Sequence, residues 1–128
     1  PEEWHEVLET NLSSAFGVTM AAQELLPNGG SVVFCSSVAA NLGLANHEAI
    51  AAAKAGLIGL ARAAAATHLR RRIRFHCVAP ALVDSRMTAS LLERAGMRDA
   101  AAKQHPSGRI GTPDDVARAL EFLLDPAN

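Results

Sequence analysis

The chain of 128 residues is the size of one domain or part of one, and its 12 Lys plus Arg against 13 Asp plus Glu leave a formal charge of −1. That balance excludes a protein held to nucleic acid by counterion release, or to a membrane by a polybasic anchor. Apolar residues make up 49%, which excludes intrinsic disorder, but the fraction is skewed: Ala supplies 26 residues, aromatics only 4%, and there is no tyrosine.

Residues 1–26 read as one helix. Pro1 suits a first helical position, Glu2, Glu3 and Glu6 sit where the helix dipole favours anions, and Trp4, Val7, Leu8, Leu12 and Ala15 recur at helical spacing. Pro27-Asn28-Gly29-Gly30 breaks the pattern as a turn. The stretch from Ser31 to Ser36 is short, β-branched and nearly all apolar, the pattern of a parallel strand covered on both faces. A loop through Asn41, Gly43 and Asn46 leads to a long helix over residues 47–69, close to an alanine rod, on which Gly56 and Gly59 keep one stripe slim for close helix contact. Arg70-Arg71-Arg72 ends it with cations at the negative pole. Ile73 to Val78 reads as a second apolar strand, closed by Ala79-Pro80, and residues 82–107 read as helical in pieces. Thr112-Pro113-Asp114-Asp115 predicts a capped helix start, with Pro113 at the first position and Asp115 completing a capping box, and a helix to about Leu124.

Cys35 and Cys77 sit in apolar strands, which predicts buried reduced thiols rather than a disulfide scaffold, and no metal site is expected. No apolar run approaches the roughly 20 residues that span a bilayer, and the first residues carry neither a basic start nor a cleavage site, so a soluble, cytoplasmic chain is the expectation. The order helix, strand, helix, strand, helix is an α/β pattern with right-handed crossovers. Both strands are too apolar to be sheet edges. They demand neighbours that this chain does not contain, so residues 1–128 are expected to be a fragment of a larger sheet domain.

Five features carry chemistry in order along the chain: Trp4 followed by Asn11-Leu12; Ser36-Ser37 closing the first strand; Lys54 in the alanine-rich helix; Ala79-Pro80 with Val83 and Ser85 after the second strand; and the run from Gly108 to Ala117. In this order and spacing they resemble the second half of a short-chain dehydrogenase/reductase, over essentially the whole chain. The resemblance implies part of a Rossmann-type, doubly wound parallel sheet and an NAD- or NADP-dependent oxidoreductase that moves hydride to or from a small carbonyl or alcohol. It assigns Asn11 to a relay water, Ser37 to the substrate oxygen, Lys54 to the coenzyme ribose, and Pro80, Ala81, Val83 and Ser85 to the nicotinamide side.

In that family a tyrosine four residues before the lysine passes the proton. A phenol ionises near pH 10, so a neighbouring ammonium is needed to stabilise its anion near neutrality. Here that position is Ile50, which can neither donate nor accept a proton, and general acid–base help is worth about two to four orders of magnitude in rate. His47 is the candidate substitute: residues 47, 50 and 54 share a helix face, and imidazole titrates in the useful range. The alternative for His47 is a polar residue of the first helical turn bonded locally. Asn11 and Ser37 have similar alternatives, hydrogen bonding within a helix and ending a strand, and Lys54 could be a solvated surface lysine.

His76 and Ala81 stand where relatives carry asparagine and glycine, and a side chain at Ala81 narrows the approach of backbone to ligand. Ser85 stands for threonine and keeps the hydroxyl. Arg86, Met87, Leu91, Leu92 and Met97 line a substrate lid or form an amphipathic surface helix. The glycine-rich turn that seats a coenzyme pyrophosphate is not in this chain, so alone it is expected to be inactive. The resemblance also implies a homodimer or homotetramer through the helices at 1–26 and 47–69, with no nucleic-acid or membrane partner. The rival reading is a non-catalytic relative, a binding or regulatory subunit whose site has decayed.

Overall fold

The computed structural model describes residues 2–128, so the helix-start role expected of Pro1 lies outside the described residues. Two strands, β1 (Gly30–Cys35) and β2 (Ile73–Val78), pair in parallel with Gly30 opposite Ile73 and Cys35 opposite Val78. Paired residues share a face, so Val32, Phe34, Ile73, Phe75 and Cys77 point to one side and Ser31, Val33, Cys35, Arg74, His76 and Val78 to the other. The connection between the strands is helix α3 (Glu48–Thr67), which packs on the first face. Its buried stripe of Ala53, Leu57, Ala61 and Ala64 meets Phe34, Ile73 and Phe75, with Ala15 and Ala22 of the N-terminal helix completing the cluster. The Phe34 and Phe75 rings lie 6.2 Å apart, and the buried His68 ring stacks 5.4 Å from Phe75. Removing each large side chain from water contributes about 1.5–3 kcal/mol. This is the doubly wound α/β arrangement: α3 covers one face, and a C-terminal helix, numbered α6 below, approaches the strands from the other.

The helix expected over 1–26 is continuous in direction but not in hydrogen bonding. α1 (Glu2–Leu8) passes into a π-helical turn, Glu9–Ser13, before α2 (Ser14–Leu25). Polar side chains in and beside this turn bond to the carbonyls one turn back: Asn11 Nδ2 donates to Val7 O at 3.0 Å and Ser14 Oγ to Thr10 O at 2.6 Å. Such back-bonding competes with the regular ladder. After β2 come α4 (Ala89–Leu92), α5 (Met97–Gln104) and α6 (Pro113–Leu124), as the fragmented pattern of residues 82–107 predicts. The α6 start has the expected form. Thr112 accepts from Asp115 N, Asp115 reaches back to Thr112 N, and Pro113 takes the first position.

Three expectations need correction. Cys35 is exposed, because it ends β1 on the side away from α3, while Cys77 is half-buried; both are free thiols. α3 is long and apolar enough, by length and composition, to cross a bilayer, because alanine counts as apolar without being strongly hydrophobic; here its buried stripe is a sheet-packing surface. Of the two glycines read as a slim stripe, only Gly56 has a close neighbour within the chain: a Cβ there would lie 2.7 Å from Leu12 Cδ2, whereas one on Gly59 would meet nothing within 4 Å.

Gly56→Ala is therefore expected to destabilise the protein. Overpacking costs about 1–3 kcal/mol, against a gain in helix propensity of about 1 kcal/mol. Urea unfolding checks this, and adding Leu12→Ala to the Gly56→Ala background should recover part of the loss.

Candidate active site

Parallel strands end at the same edge, and the loops leaving that edge hold the sequence-predicted residues. The backbone first fixes the two loops to each other. Ser36 N donates to Val78 O at 2.7 Å, and Val38 N to Pro80 O at 3.0 Å, so the pairing continues past both strands. Ser37 then caps a 3₁₀ turn, Val38–Ala40, its Oγ accepting from Ala39 N at 3.1 Å.

Lys54 comes up from α3 to the same place. Its Nζ donates to Cys35 O at 2.9 Å, and the buried Ser36 hydroxyl donates to Lys54 O at 2.7 Å. The strand end and the helix turn carrying the ammonium are thus bonded in both directions. His47 precedes α3 as its N-terminal cap residue and is exposed, with Nδ1 2.7 Å from Ala45 O. A carbonyl only accepts, so Nδ1 carries the proton in the neutral ring and Nε2 presents a lone pair. Ile50 is half-buried one turn on. Asn11 lies in the π-helical turn with one amide hydrogen committed to Val7 O, leaving its Oδ1 as an acceptor. Single π turns of this kind recur at functional positions in helices.

Pro80, Ala81 and Val83 line a pocket of about 380 Å³ between residues 78–83 and α6, together with His105, Asp115, Val116 and Ala119. Its wall is mostly apolar, which suits the flat face of an aromatic ring. Lys54 lies outside that wall, and so does Ser85, which instead belongs to a local turn. There Thr88 Oγ1 accepts from Ser85 N at 3.0 Å and donates to Val83 O at 2.5 Å. Lys54, Ser37 and the Pro80 loop thus stand at the same strand edge, with the apolar pocket on the Pro80 side. Among the described residues no three His, Cys, Asp or Glu side chains group as metal ligands.

Three site features were not anticipated from the sequence. Val83 forms a parallel bridge with Gly111; Asp84 N donates to Gly111 O at 2.9 Å and Gly111 N to Leu82 O at 3.1 Å, which fixes the pocket loop to the start of α6. Arg109 grips Asp115 through two bonds of 2.6 and 2.9 Å, holding that carboxyl well below the usual carboxylate range, with Thr112 adding to the effect. The third is His105: Nδ1 is 2.8 Å from Ala101 O, and the buried Nε2 has no partner. Only the Arg109–Asp115 pair had a readable signal, charges of opposite sign flanking a helix start.

A family model described as enoyl-(acyl carrier protein) reductase matches residues 1–128. The chain belongs to the short-chain dehydrogenase/reductase family. It is 40% identical over 124 residues to a short-chain type dehydrogenase/reductase, y4vI, of Sinorhizobium fredii, covering 95% of this chain and 22% of that protein. It is 35% identical over 127 residues to the 3-oxoacyl-[acyl-carrier-protein] reductase FabG of Vibrio cholerae, covering 98% of this chain and 51% of that one. The solved structure of a gluconate 5-dehydrogenase from Burkholderia cenocepacia in complex with NADP and tartrate superposes with a TM-score of 0.92 at 26% identity, over 99% of this chain and 51% of that one. The chain thus spans about half the length of these relatives, and less of the first.

The Asp115 clamp has a consequence for acid stability. Its folded carboxyl titrates below its unfolded value of about 3.9, so the stabilisation is complete above about pH 4 and is lost as pH falls through the depressed folded value. Asp115→Asn is expected to lower Tm by a constant amount between about pH 5 and 7, the gap to the unmodified protein narrowing below about pH 4. Thermal melts across that range check it.

Proposed function

We propose that the protein containing this chain is an NAD(P)-dependent oxidoreductase acting on a small carbonyl or alcohol, and that residues 1–128 form the C-terminal half of its single Rossmann domain. The observation that carries the reading is the convergence of the Lys54 ammonium, the Ser37 hydroxyl and the Pro80 loop at one strand edge beside an apolar pocket. The coenzyme, when bound, supplies or accepts the hydride. Lys54 would hold the ribose hydroxyls with the ammonium hydrogens that its bond to Cys35 O leaves unused. Pro80, Ala81 and Val83 flank the nicotinamide, and Ser85 stiffens the loop that carries them. Ser37 donates to the substrate oxygen and polarises the carbonyl. Asn11 Oδ1 holds a relay water, and His47 Nε2 exchanges the proton that a tyrosine at position 50 would otherwise carry. The proposal includes a cytoplasmic location without nucleic-acid or membrane partners, a reading that the near-balanced charge and the packing of α3 on the sheet support.

Two variants of the full-length protein test the proton route. His47→Ala is expected to lower kcat by about 10²- to 10⁴-fold while coenzyme affinity is retained; unchanged turnover removes His47 from the reaction. Ile50→Tyr places a phenol one helical turn from Lys54 and is expected to raise turnover. The second reading, a relative that has lost catalysis, is favoured by Ile50 itself: it is distinguished by NADPH binding, read by fluorescence, without turnover on a carbonyl panel.

The oligomer belongs to the same proposal. Phe16 and Met20, one turn apart on α2, are exposed, and so is Gly59, with nothing from its own chain over it. A homodimer or homotetramer through the helices at 1–26 and 47–69 would cover these surfaces. Gly59→Arg is expected to shift the full-length protein to a smaller species in light scattering without loss of helical signal, and no shift would place the interface elsewhere.

A further inference from the structure

Ser36 sits between the site residues without belonging to them. It follows Cys35 at the end of β1 and is 4% exposed. Its backbone N–H joins it to Val78 O, and its hydroxyl donates 2.7 Å to Lys54 O. One small buried residue therefore touches the ends of both strands and the middle of α3. The bond to Lys54 O is an addition: a carbonyl in a helix interior is already served by the N–H four residues on. Deleting the hydroxyl leaves that carbonyl paired, so the tie does not exist to satisfy α3. It exists beside the Lys54 Nζ bond to Cys35 O, which runs the opposite way between the same two segments. Two antiparallel ties fix the rotation of the helix turn about the strand end as well as its distance.

We infer that Ser36 is a positioning residue, whose buried hydroxyl sets the Lys54 ammonium against the strand end that presents Ser37. The inference rests on the site assigned to Lys54 and Ser37 above. Ser36 touches neither substrate nor coenzyme; it acts by holding the turn from which Lys54 reaches out. Loss of the hydroxyl lets the turn rotate, so Nζ spends less time on Cys35 O and less time where a ribose would meet it. Ser36→Thr keeps the donor and should keep the geometry.

The test uses the full-length protein and two readouts. The first is reductive methylation followed by peptide mass spectrometry, comparing the rate at Lys54 with that at Lys103, which lies on α5 away from the tie. Ser36→Ala is expected to raise the Lys54 rate about fivefold relative to Lys103, the scale of one net hydrogen bond, with Ser36→Thr within about twofold of the unmodified protein. The second is NADPH affinity, expected to fall by a similar factor in Ser36→Ala. Equal acceleration at both lysines, or an unchanged ratio in Ser36→Ala, overturns the inference. A shifted ratio in a protein that binds neither NADH nor NADPH upholds the positioning and overturns the oxidoreductase reading instead. Should Ser36→Thr be too bulky to fold, the Ser36→Ala ratio still decides.

Discussion

The register of one parallel strand pair governs everything else. With Cys35 opposite Val78, both strands stop at the same level, and the segments leaving them, one toward Ser37 and one toward Pro80, start side by side. Parallel pairing also requires a crossover, and α3 is that crossover, so the helix bearing Lys54 must lie across the face of the strands whose ends bear Ser37 and Pro80. A slip of one residue would turn Phe34 and Phe75 out of the core and separate the two loops together. Core packing and site assembly are thus one constraint. The burial that fixes the register also aligns the polar groups.

Around that frame the polar residues stay close to home. Asn11, Ser37 and His47 each bond to a backbone group within a few residues, and Thr88 closes its own turn. These local bonds orient the side chains and leave Asn11 Oδ1 and His47 Nε2 as acceptors. At the C-terminal ends of the strands, the side-chain bonds that reach far along the chain are those of Ser36 and Lys54, and they join the elements whose separation matters most for a ribose and a substrate oxygen.

Much of this was legible from residue patterns. Short, nearly continuous apolar runs place both strands to within a residue, and the α6 start is written in Thr112, Pro113 and Asp115, because capping uses side chains at fixed local offsets. Features built by contact between distant segments were not. The Val83–Gly111 bridge depends on backbone groups that every residue possesses, and the Ser36 hydroxyl finds a backbone carbonyl 18 residues away, so no local pattern announces either. The π-helical turn is similar: Asn11 and Ser14 are unremarkable in a helix until they bond to the carbonyls one turn back. Exposure of Cys35 was misjudged because local hydrophobicity does not say which side of a strand has a neighbour.

The bridge between Val83 and Gly111 has a consequence for how such a protein diversifies. Residues 84–110 leave and return through one pair of backbone bonds, so the excursion is closed at its base, and within it Arg98 pairs with Asp84 at 2.7 Å. The excursion meets the strand-end loop at this base and again at His105, which lines the pocket beside Pro80. Its length and apolar content can be rewritten while the sheet, Ser37 and Lys54 stay where they are. The fold separates a conserved-geometry platform from an interchangeable cassette, and Gly111 is the clasp between them.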